Sequence, residues 1–166
     1  REAANLSMQV LRALHYLHAN HIMHRDVKPE SMMFAEEGGE QVKLIDFGLS
    51  TRFEKHHKLV QRCGTLQYVA PEVLTGFGYD EKSDMWSLGS VCYTVLTKKA
   101  MYIGSESEIR YKNRLGAVDY SRKFESVSNL GQEFLHSLLN VDAARRPSAD
   151  EALRSPWLVR QVPGLV

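Results

Sequence analysis

The stretch His24-Arg25-Asp26-Val27-Lys28-Pro29-Glu30-Ser31 decides how the rest of the sequence is read. It sets acids and cations side by side around a proline, which does not sit well inside a helix. Upstream, Leu6, Val10, Leu14 and Leu17 recur at the spacing of one helix face, and Asn20 supplies a stop. Downstream, the short apolar runs Met32 to Phe34 and Val42 to Ile45 flank Glu36-Glu37-Gly38-Gly39-Glu40, a turn signal that predicts a β-hairpin. The stretch is therefore a loop between a helix and a hairpin.

Farther out, residues from Asp46 to about Glu72 show no sustained period, and a loop that long inside a domain is usually functional. After Pro71 the pattern turns helical. Residues 82–97 are apolar nearly all round, the mark of a helix buried in the middle of its domain. Leu130, Phe134, Leu135, Leu138 and Leu139 form another helical stripe, and Ser148 with Glu151 makes a capping box for a third helix. The expected fold is mainly α with a small β-hairpin.

A length of 166 residues suits about one domain. The 21 Lys and Arg against 20 Asp and Glu remove the electrostatic case for a nucleic-acid partner. No apolar run approaches the ~18 residues of a membrane span, and the first ten residues lack the apolar core of a signal peptide. Cys63 and Cys92 make neither a disulfide framework nor a zinc site. The expectation is a cytoplasmic or nuclear protein with no membrane partner.

Three segments follow in order: His24 to Ser31, Asp46-Phe47-Gly48, and Ala70-Pro71-Glu72. Together they resemble the catalytic half of a eukaryotic protein serine/threonine kinase. The wider stretches LIDFGLSTRFE, GTLQYVAPEVLTGFGYDEKSDMWSLG and RRPSADEALRSPWL look like the calcium/calmodulin-dependent and calcium-dependent protein kinases. The resemblance implies a catalytic loop at 22–34, a metal-binding motif at 46–48, an activation and substrate-docking loop at 46–72 and a helical subdomain at 73–158. It implies ATP and Mg2+ as cofactors, a protein substrate as partner and a calcium-sensing regulatory module outside this sequence. No Asp-rich loop of EF-hand form occurs within it.

Phosphoryl transfer is mostly positioning and charge neutralisation, so it calls for a carboxylate at the attacking hydroxyl, a cation at the phosphate and acidic metal ligands. The resemblance assigns the first to Asp26, the second to Lys28 and the magnesium to Asp46 with Ser31. ATP contacts are implied for Lys28, Ser31, Met33 and Asp46. Thr65 takes the place of the threonine bonded to the catalytic Asp and Lys, and Glu72 and Arg146 that of a buried ion pair. Asp84 matches the brace of the catalytic-loop backbone, while His24, Phe47 and Met33 match apolar positions around the site and are expected to be core side chains.

Two departures from the family pattern stand out. Ser31 replaces an Asn whose amide binds the second magnesium, so weaker metal binding and lower turnover are expected, and the alternative reading is a pseudokinase or scaffold module. Arg25 before Asp26 usually pairs with a loop phosphate. Yet residues 52–64 hold no Ser, Thr or Tyr, so Glu54 is expected as the counter-charge. Set against the family, the 166 residues correspond to the helical C-terminal lobe with the N-terminal lobe absent, and this piece alone is expected to turn over little.

Overall fold

Helix α1 (Glu2–Ala19) buries Ala4, Ser7, Met8, Val10, Leu11, Leu14 and Leu17, a stripe wider than the four positions that announce it in the sequence. Asn20 ends it with backbone N–H bonds back to the last turn. The structure, a computed structural model, describes residues 1–120 and 122–162. The central helix α3 (Lys82–Thr97) buries residues from Ser83 through Tyr93 without a break. α1 packs on α3 and on the short α7 (Ala149–Leu153) and α8 (Pro156–Gln161), and α3 packs on α6 (Asn129–Leu138).

Gly89 allows the close approach of α3 to α6. A Cβ at that position would stand 2.9 Å from both Leu138 Cβ and Leu139 Cδ2, closer than carbon atoms pack. Ser148 and Glu151 form the expected capping box at α7. A second box, Ser105 with Glu108, opens α4 (Glu106–Arg114), a helix the hydrophobic pattern did not announce. Only Ile109 and Asn113 of α4 are buried, so its apolar stripe is too thin to read. Short helices α2 (Pro71–Thr75) and α5 (Arg122–Glu125) complete the helical part, with 3-10 turns at Pro29–Ser31 and Ala143–Arg145. Among the described residues no helix is long and apolar enough to cross a membrane.

The expected hairpin is present: β2 (Met32–Phe34) pairs antiparallel with β3 (Val42–Leu44), Met33 opposite Lys43. A second two-stranded sheet joins β1 (Ile22–Met23) to β4 (Thr51–Arg52). The segment 46–72 is thus not loop throughout, since it contributes a strand that pins its start beside the 24–31 stretch.

Strand alternation corrects the expectation that Met33 and Phe47 are core side chains. Met32 leans on the core below the hairpin, so its neighbour Met33 points to the opposite face and is 51% exposed. Phe47 lies beyond the hairpin and is 46% exposed. His24, by contrast, is wholly buried.

Candidate functional site

The 24–31 stretch is anchored from below. Met23 and Val27 are both wholly buried, which leaves the intervening residues to face the hairpin and the loop. Arg25 adopts a left-handed backbone (φ 67), a conformation that costs a non-glycine residue roughly 1–2 kcal/mol and needs outside support. Asp84, at the head of α3, supplies it. Its Oδ2 accepts the His24 amide at 3.0 Å and its Oδ1 the Arg25 amide at 2.8 Å.

His18 completes this brace. Its Nε2 donates to Asp84 Oδ2 at 2.9 Å from α1. Burial alone would raise the Asp84 carboxyl, but His18 and the two amides outweigh it and hold the group below the usual carboxylate range. The His24 ring is also fully used: Nε2 donates to the Ile45 carbonyl at 2.9 Å, and Nδ1 accepts the Asp26 amide at 3.3 Å. Its edge meets Phe47, with ring centroids 5.1 Å apart.

Asp26 is nearly buried and surrounded by donors. Oδ1 accepts the Thr65 amide at 2.9 Å and the Thr65 hydroxyl at 2.8 Å, and Oδ2 accepts the Lys28 ammonium at 2.5 Å. Lys28 also donates to Thr65 Oγ1 at 3.0 Å, closing a triangle. Burial pushes the Asp26 carboxyl up, yet the Lys28 and Thr65 bonds pull harder, so it lies below its ordinary value. The Lys28 ammonium is raised, first by the bond to Asp26 and then, against burial, by the charges of Asp26, Asp46 and Glu30. Asp26 is therefore ionised and aimed, and Lys28 stays cationic beside it.

Thr65 reaches Asp26 because Gly64 precedes it. Gly64 is left-handed (φ 97), and a Cβ there would lie 2.8 Å from the Arg25 carbonyl oxygen. No other residue brings the loop this close to the catalytic stretch without displacing one of them.

Asp46 follows the hairpin with φ 62 and an exposed side chain, a hard oxygen donor beside the Lys28 charge. Ser31 does not join it. The Ser31 hydroxyl is buried, donates to the Lys28 carbonyl at 2.8 Å and accepts the Lys28 amide at 3.0 Å. The Ser31 oxygen, expected as a second metal ligand, is turned back by its short stem onto the 3-10 turn, where it steadies Lys28.

Glu72 and Arg146 meet on the far side of α3. Arg146 is buried, and its five N–H groups find five bonds: Glu72 Oε1 at 2.6 Å and Oε2 at 2.8 Å, and the carbonyls of Asn140, Lys82 and Val141. The guanidinium also lies 5.0 Å over the Trp86 ring. The pair ties α2, and with it the end of the loop, to the chain before α7.

Glu54 does not pair with Arg25. It is exposed and meets His57 at 3.2 Å. Arg25 instead donates to the Leu49 carbonyl at 2.6 Å, to Gln61 Oε1 at 3.1 Å and to the Tyr79 hydroxyl at 3.3 Å. The strand pairing of β4 carries Glu54 away from the Arg25 side chain.

Comparison with known proteins finds protein kinases. Calcium-dependent protein kinase 4 of Plasmodium berghei is 37% identical over 161 residues, which cover 95% of this chain and 30% of that protein. Human serine/threonine-protein kinase H1 is 37% identical over 164 residues, 96% of this chain and 39% of the relative. Death-associated protein kinase dapk-1 of Caenorhabditis elegans is 34% identical over 160 residues, 95% of this chain and 11% of the relative. The chain thus spans well under half the length of these relatives. The family model described as protein kinase domain matches residues 1–158, which include every residue of the Asp26, Asp84 and Arg146 clusters, and the chain belongs to that family.

Proposed function

We propose that the protein of which this chain is part transfers the γ-phosphate of ATP to serine or threonine hydroxyls of protein substrates. The observation that carries the reading is the Asp26, Lys28 and Thr65 triangle: an ionised carboxylate locked in orientation beside a persistent cation. Protein kinases as a family use ATP and magnesium, and the residues present fit both. Asp46 would hold the metal with an exposed carboxylate oxygen, and the half-exposed Met33 and Phe47 offer apolar surface on the hairpin and the turn beside it.

Magnesium-bound ATP supplies the transferable phosphoryl group and spreads its charge. The chain's own residues supply position. Asp26 orients the attacking hydroxyl and takes its proton at a carboxylate oxygen. Lys28 neutralises charge at the phosphate, and Thr65 keeps both side chains in register. With Ser31 committed to the Lys28 backbone, Asp46 would be the metal ligand of this pair of candidates, and turnover lower than in a kinase with Asn at that position would follow. A pseudokinase reading is less well supported, because the carboxylate and the ammonium are held in contact and an acid that could hold the metal is present and exposed. The relatives named as calcium-dependent extend the proposal to calcium control by a module outside these residues.

The test is magnesium-dependent phosphate transfer by the full-length protein to a protein substrate. Asp26→Asn and Asp46→Ala are each expected to lower it by about a hundredfold or more. Transfer that persists at the wild-type rate in both variants overturns the reading.

A further inference from the structure

Arg25 stands next to the catalytic Asp26, and among the described residues its guanidinium pairs with no carboxylate. Nε donates to the Leu49 carbonyl, and Nη1 donates to both Gln61 Oε1 and the Tyr79 hydroxyl. The Tyr79 hydroxyl in turn donates to the Gln61 carbonyl at 2.7 Å. Arg25, Gln61 and Tyr79 therefore form a closed ring of hydrogen bonds in which Arg25 is the single charge.

The rest of the loop is fastened to the same place. Leu59 and Tyr79 exchange both backbone bonds at 2.9 Å, and Lys58 pairs with Asp80. Tyr79 is 1% exposed, and burial, against the opposing pull of Arg25, pushes its hydroxyl up to about 12, so the proton it donates stays in place. Three residues beyond Gln61 comes Gly64, in contact with the Arg25 carbonyl, and then Thr65 with its two bonds to Asp26. Between Arg52 and Gly64 no residue carries a hydroxyl that could accept a phosphate.

We propose that Gln61 and Tyr79 are positioning residues that clasp Arg25 with neutral hydrogen bonds and hold the 58–65 segment, and through it Thr65, against Asp26 without a loop phosphate. The inference rests on the reading of Asp26 as the phosphotransfer carboxylate. A neutral clasp suits this chain because Arg25 is half-buried and already has a carbonyl on Nε, so acceptors of the right geometry satisfy it without a second charge. It makes the loop's order a fixed property of the sequence, where a phosphate would make it conditional.

The experiment uses the full-length protein after phosphatase treatment, with mass spectrometry showing residues 46–72 free of phosphate. Two readouts are taken: amide hydrogen exchange across 58–65, which needs no turnover, and kcat with KM for ATP. The wild type is expected to keep both its protection and its rate. Gln61→Ala and Tyr79→Phe are expected to release the 58–65 amides and to lower kcat roughly ten- to a hundredfold with KM for ATP little changed, the scale of a lost hydrogen bond to a charged group. Gln61→Glu, which returns an acceptor to Arg25, is expected to restore both, while protection in α1 stays the same throughout. The proposal is overturned if both variants keep wild-type exchange, or if the wild-type segment exchanges freely once phosphate is removed. Transfer at the wild-type rate in both Asp26→Asn and Asp46→Ala defeats the phosphotransfer reading, and the exchange data still decide the clasp.

Discussion

Two carboxylate-cation pairs in this molecule use the same chemistry to opposite ends. Arg146 and Glu72 are joined by a two-pronged contact, and every N–H of the guanidinium is matched by an acceptor. Nothing further can approach it. Asp26 and Lys28 are joined at one oxygen, and the Lys28 ammonium keeps part of its surface open beside the exposed Asp46. The difference is the number of partners supplied by the fold: a saturated pair braces, and an unsaturated one is free to meet a substrate.

The largest effect expected from breaking this contrast is at the open pair. Asp26→Asn keeps the shape and the contact to Thr65 but removes the carboxylate proposed as the base, so phosphate transfer by the full-length protein should fall by about a hundredfold or more. The opposite pattern is expected at the closed pair. Arg146→Ala leaves the Glu72 carboxylate without its two-pronged partner and should cost about 3–5 kcal/mol in denaturant unfolding. If Arg146→Ala were as benign as a surface change, the distinction between bracing and reactive pairs would fail.

Acid sharpens the comparison further. Asp26 and Asp84 both have carboxyls depressed below the ordinary value of 3.8. A depressed folded value means the unfolded chain binds the proton first, so the stabilisation is fully present above the unfolded pKa and is lost as pH falls through the folded one. Stability measured by denaturant should therefore decline below about pH 4, and Asp84→Asn should flatten that decline while lowering stability at neutral pH. The smallest effect is expected from Ser31→Asn, which gives up the hydroxyl bonds to Lys28 and regains an amide oxygen. The magnesium concentration for half-maximal transfer should fall severalfold; an unchanged value would mean that residue 31 does not limit metal binding.

Much of the fold is legible in the sequence because its signals are local. The buried helix at 82–97, the Gly-Gly hairpin and the Ser148 capping box each announce themselves within a few residues. The β1 and β4 strands do not, since two residues apiece are too short to show alternation and their partner is distant in the chain. At the site, the residue types of Asp26, Lys28, Asp46 and Thr65 are readable, and the structure brings Asp26, Lys28 and Thr65 into direct contact. What a side chain does with its capacity is not readable. Ser31 has the oxygen a metal needs but spends it on the Lys28 backbone, and Glu54 has the charge Arg25 lacks but lies with His57. His18 carried a signal, a histidine on the buried face of α1 opposite an acid, but only the long-range contact to Asp84 gives it meaning.

The Asp84 brace bears on how small a working piece of this protein can be. Asp84 holds the amides of two residues some sixty positions earlier, and Arg146 fixes the loop end from a still greater distance. A truncation ending before α3 would keep every letter of the 24–31 and 46–48 motifs and lose the acceptor that holds Arg25 in its left-handed turn. The minimal unit that carries the site is therefore set by its supports, residues 84 and 146, and motif content alone is a poor guide to where such a chain can be cut.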